Sequence, residues 1–317
     1  MDVSAAGRVR MHIPGLVLPV FAVILTGWIT GALGYVPRTL SAPLMQFAYN
    51  LAMPALVFLT IAQEPVHALL DWRFIAAFGG GSGLYFAAVF VAARRLSSAG
   101  LGGSAMLASA ASMTNTGFVA LPILQAVYGE RGILPAAIAT VFVAVVMFPA
   151  LVALLELDRH GQSRRTSLLA LARQVVINPV VISTMLGLFW SILGRPLPSP
   201  VAVYAGLFGQ ALTPCALFSV GLGLSCHGLR SDFQGSVLLS MLKLVVMPLV
   251  VLGLSAALGL GPVQTLAAVV CAAVPTAKTA FVLASAYQVE ASMVGSAISM
   301  TTLLSVVTLF GWLWALS

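Results

Sequence analysis

The chain has 317 residues, 60% of them hydrophobic and 7% charged, with three cysteines and a formal net charge of +7. So few charged residues could not cover the surface of a soluble domain of this length, which excludes a water-soluble enzyme and makes the chain an integral membrane protein. Most of the positive charge is arginine in short polar connections, so it reports membrane topology rather than a nucleic-acid surface.

Apolar stretches long enough to cross a hydrocarbon core of about 30 Å lie at 13–33, 40–62, 72–93, 103–127, 132–155, 170–193, 199–225, 233–257, 263–287 and 292–316. They predict an all-α integral membrane fold with ten transmembrane helices. The first stretch is too long for the core of a cleaved signal peptide, although Arg8 and Arg10 precede it. The longest polar stretch, Glu156 to Arg165, divides the chain five spans and five: residues 1–155, a connector at 156–169, and residues 170–317.

A shift of 160 residues aligns Pro19 with Pro179, Gly27 with Gly187, Leu33-Gly34 with Leu193-Gly194, Pro54 with Pro214, Phe58 with Phe218 and Ile138 with Ile298. A slip of three more residues sets Asn115-Thr116-Gly117-Phe118-Val119 opposite Lys278-Thr279-Ala280-Phe281-Val282. Prolines and glycines, which set helix breaks and close contacts, dominate these matches. With an odd number of spans in each half, the second half enters the membrane in the opposite orientation. The expectation is an inverted repeat, a signature of secondary transporters. Arg38, Arg94, Arg95, Arg159, Arg164, Arg165, Arg173 and Arg230 fall on one face, against Arg8, Arg10, Arg73, Arg131 and Arg195 on the other. The positive-inside rule makes the first face, with the central connector, cytoplasmic and puts both termini outside.

Polar residues within the apolar stretches mark the candidate chemistry. In the fourth span, Thr114-Asn115-Thr116-Gly117 is followed by Pro122. Asparagine and threonine supply donors and acceptors, and glycine permits unwound backbone. A half-helix starting there would aim its positive end at the midplane. The competing reading is an ordinary interhelical hydrogen bond beside a proline kink. In the ninth span, Pro275-Thr276-Ala277-Lys278-Thr279 combines a helix break with one of the chain's two lysines. Free amides and an ammonium favour an anion such as a carboxylate, unless Lys278 is a structural cation neutralised by carbonyls. The other lysine, Lys243, precedes Pro248 and is read as a structural or coupling cation reaching the bare carbonyls of a neighbouring broken helix. Asn50 near Pro54 and Gln210 near Pro214 recur between the second and seventh spans, as a wall of the substrate path or as partners for proline-freed carbonyls. Gly79-Gly80-Gly81-Ser82-Gly83 lacks the context of a nucleotide loop and reads as close helix packing.

Cys215, Cys226 and Cys271 have no metal or disulfide spacing and read as small apolar packing residues. All eight carboxylates and all four histidines lie in or beside predicted connections, leaving no HExxH motif or acidic cluster for intramembrane catalysis. No metal or other cofactor is expected beyond protons as a coupling ion.

The strings NLAMPALVF (50–58), NTGFVALPIL (115–124), INPVVISTMLGL (177–188), PCALFSVGLGL (214–224) and PTAKTAFVLASAY (275–287) resemble the auxin efflux carrier family, whose bacterial members include malonate and other organic-acid transporters. The resemblance covers essentially the whole chain. It implies two inverted five-helix repeats with crossed broken helices 4 and 9, a scaffold from spans 1, 2, 6 and 7, and a transport unit from spans 3–5 and 8–10. It also implies elevator-like alternating access and a homodimer joined through the scaffolds. Thr114 stands where plant members carry proline and Lys278 where they carry an uncharged residue, so auxin is not implied as the substrate.

The leading expectation is a transporter of small organic anions in a plasma (bacterial inner) membrane, working as a uniporter or with protons and binding through Asn115, Thr116, Gly117, Pro275, Thr276, Lys278 and Thr279. Its partners are the solute, the lipid bilayer and a second copy, with no nucleic acid. The alternatives are a sodium-coupled symporter of the bile-acid carrier type and, from another class, an intramembrane enzyme or sensor.

Overall fold

A computed structural model describes residues 3–65, 71–160, 173, 176–223 and 233–316. The expected connector at 156–169 is helical as far as His160. The rest of it, with Arg164 and Arg165, lies outside the described residues, as do Asp2, His67, Cys226, His227, Arg230 and Asp232.

Among the described residues, secondary structure is helical except for one isolated β-bridge. In chain order the helices are α1 (Val3–Ala32), α2 (Arg38–Gln63), α3 (Trp72–Leu96), α4 (Leu101–Ser112), α5 (Thr116–Tyr128), α6 (130–160), α7 (Pro179–Leu193), α8 (Ser199–Leu222), α9 (Phe233–Ala257), α10 (Pro262–Ala273), α11 (Lys278–Tyr287) and α12 (Ala291–Leu316). Among the described residues, six helices, α2, α3, α6, α8, α9 and α12, are long and apolar enough to cross a membrane, and shorter apolar helices accompany them. The chain is a multi-pass membrane protein. The apolar stretches at 103–127 and 263–287, each read as one span, are each two helices separated by extended backbone.

Proline placement explains much of the local irregularity. Pro54, Pro122, Pro149 and Pro248 each follow a π turn, at Ala48–Ala52, Thr116–Ala120, Val143–Met147 and Leu242–Val246. A proline has no N–H to offer the carbonyl four residues earlier, and widening the preceding turn by one residue lets the flanking amides bond in a shifted register. The residue before each proline accordingly donates to the carbonyl five residues back, as Met247 does to Leu242. Two carbonyls of the π turn in α9 accept side-chain donors, Leu244 O because Pro248 has no N–H to offer it and Leu242 O in addition to Met247 N–H. Leu244 O accepts Trp312 Nε1 at 2.9 Å and Leu242 O accepts Tyr85 OH at 2.7 Å. A fifth π turn, Ile75–Gly80, has no proline and runs into the glycine series of α3. A β-carbon on Gly79 would lie 2.7 Å from the Phe142 ring, so this glycine admits an aromatic side chain of α6.

The helices pack in a selective way. α1 lies along α8, α2 along α7 and α8, α3 on α4 and α9, α9 on α10, and α12 on α9, α10 and α11. Backbone meets backbone where α1 crosses α8. A β-carbon on Gly27 would be 2.3 Å from Phe218 O, and one on Gly221 would be 1.9 Å from Ile24 O. Small residues of this kind let membrane helices approach closely enough for dispersion to hold them together. Gly221→Val is expected to push the two helices apart at a cost of about 1–3 kcal/mol or more. Its melting temperature in detergent should fall by several degrees, and a melting curve matching the parent's would contradict this packing.

Candidate functional site

The site is built where two interrupted helices cross. α4 ends at Ser112 and α5 begins at Thr116, while α10 ends at Ala273 and α11 begins at Lys278. Pro275 disfavours helical backbone at Val274, which is extended. The two unwound segments pair with each other. Asn115 N–H donates to Pro275 O and Ala277 N–H donates to Met113 O, both at 3.0 Å, with Thr114 opposite Thr276 in an antiparallel bridge. Non-helical backbone inside a membrane protein is tolerated only where protein or a cavity satisfies it, and here each break satisfies the other. Thr276 locks the crossing from behind. Its Oγ1 donates to Ala110 O at 2.6 Å and its N–H donates to Thr301 Oγ1 at 3.3 Å.

The start of α5 faces the open side of this crossing. Its first intrahelical bonds come from Val119 N–H and Ala120 N–H, both to Asn115 O at 3.1 and 3.4 Å. The amides of Thr116, Gly117 and Phe118 precede them, at the positive end of the helix dipole. In front lies a cavity of about 230 Å³, below the range of drug-sized pockets and suited to a small solute. Thr114 to Phe118, Ala277 and Thr279 line it from the crossing, Tyr49 and Met53 from α2, Asn178 and Val180 from α7 and its cap, and Thr140, Val143 and Phe148 from α6.

Most of that surface is apolar. Thr140 Oγ1 donates to Thr116 Oγ1 at 3.0 Å, and Asn178 Nδ2 donates to Tyr49 OH at 2.9 Å. Asn178 Oδ1 caps α7 by accepting Val180 N–H at 2.9 Å, so the residue that starts the helix also orients the tyrosine. Thr114 Oγ1 is buried without a hydrogen-bond partner, and the Asn115 side chain does not cap α5. A buried hydroxyl left unpaired costs stability. A β-carbon at Gly117 would lie 2.4 Å from Met53 Cε and 2.9 Å from its Sδ, so a larger residue there would have to displace the Met53 side chain.

The expected site residues are thus distributed unequally. Asn115, Thr116, Gly117 and Thr279 line the cavity, whereas Pro275 and Thr276 form the crossing behind it. Lys278 heads α11 but is not among the lining residues. Its Nζ lies 2.6 Å from where a β-carbon of Gly223 would stand, at the end of α8. Lys243 is fully buried, and its Nζ donates to Ala272 O, near the C-terminus of α10, with Met247 Sδ at 3.6 Å. Asn50 and Gln210 are exposed and outside the lining, and Tyr49 takes the place expected for Asn50 because adjacent residues of a helix face about 100° apart. Tyr49, Asn178 and Thr140 were not expected. Asn178 carries a signal in hindsight, an asparagine directly before Pro179 at a helix start, whereas Thr140 is a lone hydroxyl in an apolar run.

Similarity to known proteins agrees with this architecture. A family described as "Membrane transport protein" matches residues 12–313. A "Putative malonate transporter" of Rhizobium meliloti is 30% identical over 96% of this chain and 95% of its own. An "Uncharacterized transporter" of Methanothermobacter thermautotrophicus is 27% identical over 93% and 96%. The "Uncharacterized transporter YfdV" of Escherichia coli K12 is 23% identical over 95% and 96%. With a match spanning nearly its whole length, together with the crossed interrupted helices and the motifs around them, the chain belongs to this family of membrane transport proteins, the auxin efflux carrier family.

Proposed function

We propose that this protein carries small organic anions across a plasma membrane by elevator-like alternating access, binding a carboxylate in the cavity in front of the crossing. The observation that carries the proposal is the start of α5. Three amides ahead of the first intrahelical bond belong to residues that line one small cavity, and Asn115, whose side chain caps nothing, lines it with them. Such an arrangement favours an anion. The malonate assigned by name to the Rhizobium meliloti relative is a carboxylate of fitting size.

Ten spans in two inverted repeats underlie the movement. Support comes from contacts that recur under the 160-residue shift. Gly27 meets Phe218 O, and its counterpart Gly187 lies 3.1 Å, by its β-carbon position, from Phe58 O, the counterpart of Phe218. The pairing of α1 with α8 likewise recurs as α7 with α2. On this reading α1, α2, α7 and α8 are the scaffold and the remaining helices move against them, in a homodimer joined through the scaffolds. Both termini lie outside, and a proton is the coupling ion if there is one. The sodium-coupled alternative has less support, because no carboxylate lines the cavity among the described residues.

Purified protein in liposomes, loaded with one unlabelled carboxylate at a time, should take up the labelled form by counterflow for at least one member of a mono- and dicarboxylate panel. Malonate is the first to test. No exchange for any member would overturn the reading, and exchange that requires sodium would transfer it to the sodium-coupled class.

A further inference from the structure

We propose that Lys278 and Gly223 form a latch between the moving helices and the scaffold, holding the conformation seen here and parting when the moving unit shifts. The inference rests on the alternating-access reading above. A β-carbon at Gly223 would stand 2.6 Å from Lys278 Nζ, 3.0 Å from Ser41 Oγ and 3.4 Å from Ser219 O. The ammonium therefore occupies the space that any other residue at 223 would fill.

Conformation does not demand glycine at this position. Gly223 has φ −80° and ψ −5°, at negative φ, where glycine's freedom is not needed. What the missing side chain supplies is room at the C-terminus of α8, where the helix dipole presents its negative end and attracts a cation. Ser41 Oγ already donates to Ser219 O at 2.7 Å, so α2 and α8 are tied together at the spot where the lysine arrives. Lys278 comes from the first residue of α11, on the other side of the proposed sliding boundary. The lysine thus reaches across that boundary to the place where α2 and α8 are tied together. A contact of this kind can exist in one end state and not in the other, so its free energy sets the balance between them.

The test uses the full-length protein in detergent and in liposomes. In Gly223→Asp the carboxylate would meet the ammonium directly and tighten the latch, because a salt bridge is stronger than a charge–dipole contact. Amide hydrogen exchange at the end of α8 and the first turn of α11 should slow by about tenfold, and malonate counterflow should slow with it. Adding Lys278→Met to Gly223→Asp should abolish the gain in protection. Lys278→Met alone should speed amide exchange there about three- to tenfold relative to the parent while malonate still binds.

Protection gained in Gly223→Asp whether or not Lys278 is present would overturn the latch. So would Lys278→Met with unchanged amide exchange, a result that also decides the matter if Gly223→Asp does not fold. Loss of malonate binding in a folded Lys278→Met would make the lysine a substrate contact instead. Failure of the transport reading is separately visible: the parent would then exchange no carboxylate before any variant is made.

Discussion

Asn115→Ala is expected to lower carboxylate binding and counterflow roughly 10- to 100-fold, the loss of one or two hydrogen bonds to a charged acceptor. The fold should hardly notice. Asn115 contributes to the crossing through its backbone, with N–H to Pro275 O and C=O to Val119 and Ala120 N–H, and alanine keeps all of these. Its side chain does not cap α5, so truncation deletes a group directed at the cavity rather than a structural bond. The measurement pairs counterflow with a melting curve of the same preparation. Parental exchange in a normally folded Asn115→Ala would remove the cavity's main polar contact from the proposal.

Lys243 should separate charge from volume. An ammonium buried without a carboxylate partner among the described residues bears a desolvation cost of several kcal/mol, offset in part by a charge-assisted hydrogen bond of about 1.5–3 kcal/mol to Ala272 O. Lys243→Met retains most of the volume and discards the charge, so its melting temperature should match or exceed the parent's. Lys243→Ala leaves a hole in a fully buried position and should cost about 2–5 kcal/mol, dropping the melting temperature by many degrees. Both variants leave Ala272 O without its donor, just ahead of the extended segment that pairs with Met113 to Asn115. Transport should therefore fall about tenfold or more even where stability rises. Equal destabilisation by methionine and alanine would mean that the charge itself holds the fold.

Much of this could be read before any coordinates, and for identifiable reasons. Pro275 cannot continue a helix, Asn115-Thr116-Gly117 is an unusual run in an apolar span, and two lysines stand where charge is costly, so the breaks and their neighbourhood were legible. The glycines at 27 and 187 and the phenylalanines at 58 and 218 were legible as a repeated pattern, although the contact of Gly27 with Phe218 and of Gly187 with Phe58 was not. The side on which each polar group faces was not legible either. Asn50 and Tyr49 are neighbours in the chain, yet the helix turns one outward and the other to the cavity. Asn178 and Thr140 join the site from segments whose partners lie far away in sequence.

By itself the sequence determined that this is a multi-pass helical membrane protein of a transport family and where two of its helices break, because hydropathy, proline and glycine act locally and leave their mark residue by residue. The tertiary structure alone decided that the two breaks pair as antiparallel backbone, that Ala272 O is the one carbonyl among those expected for Lys243 that it reaches, and that Lys278 turns from the cavity to the end of α8. Orphaned backbone groups and buried charges must find partners within the protein, and which partner is within reach depends on how distant helices pack.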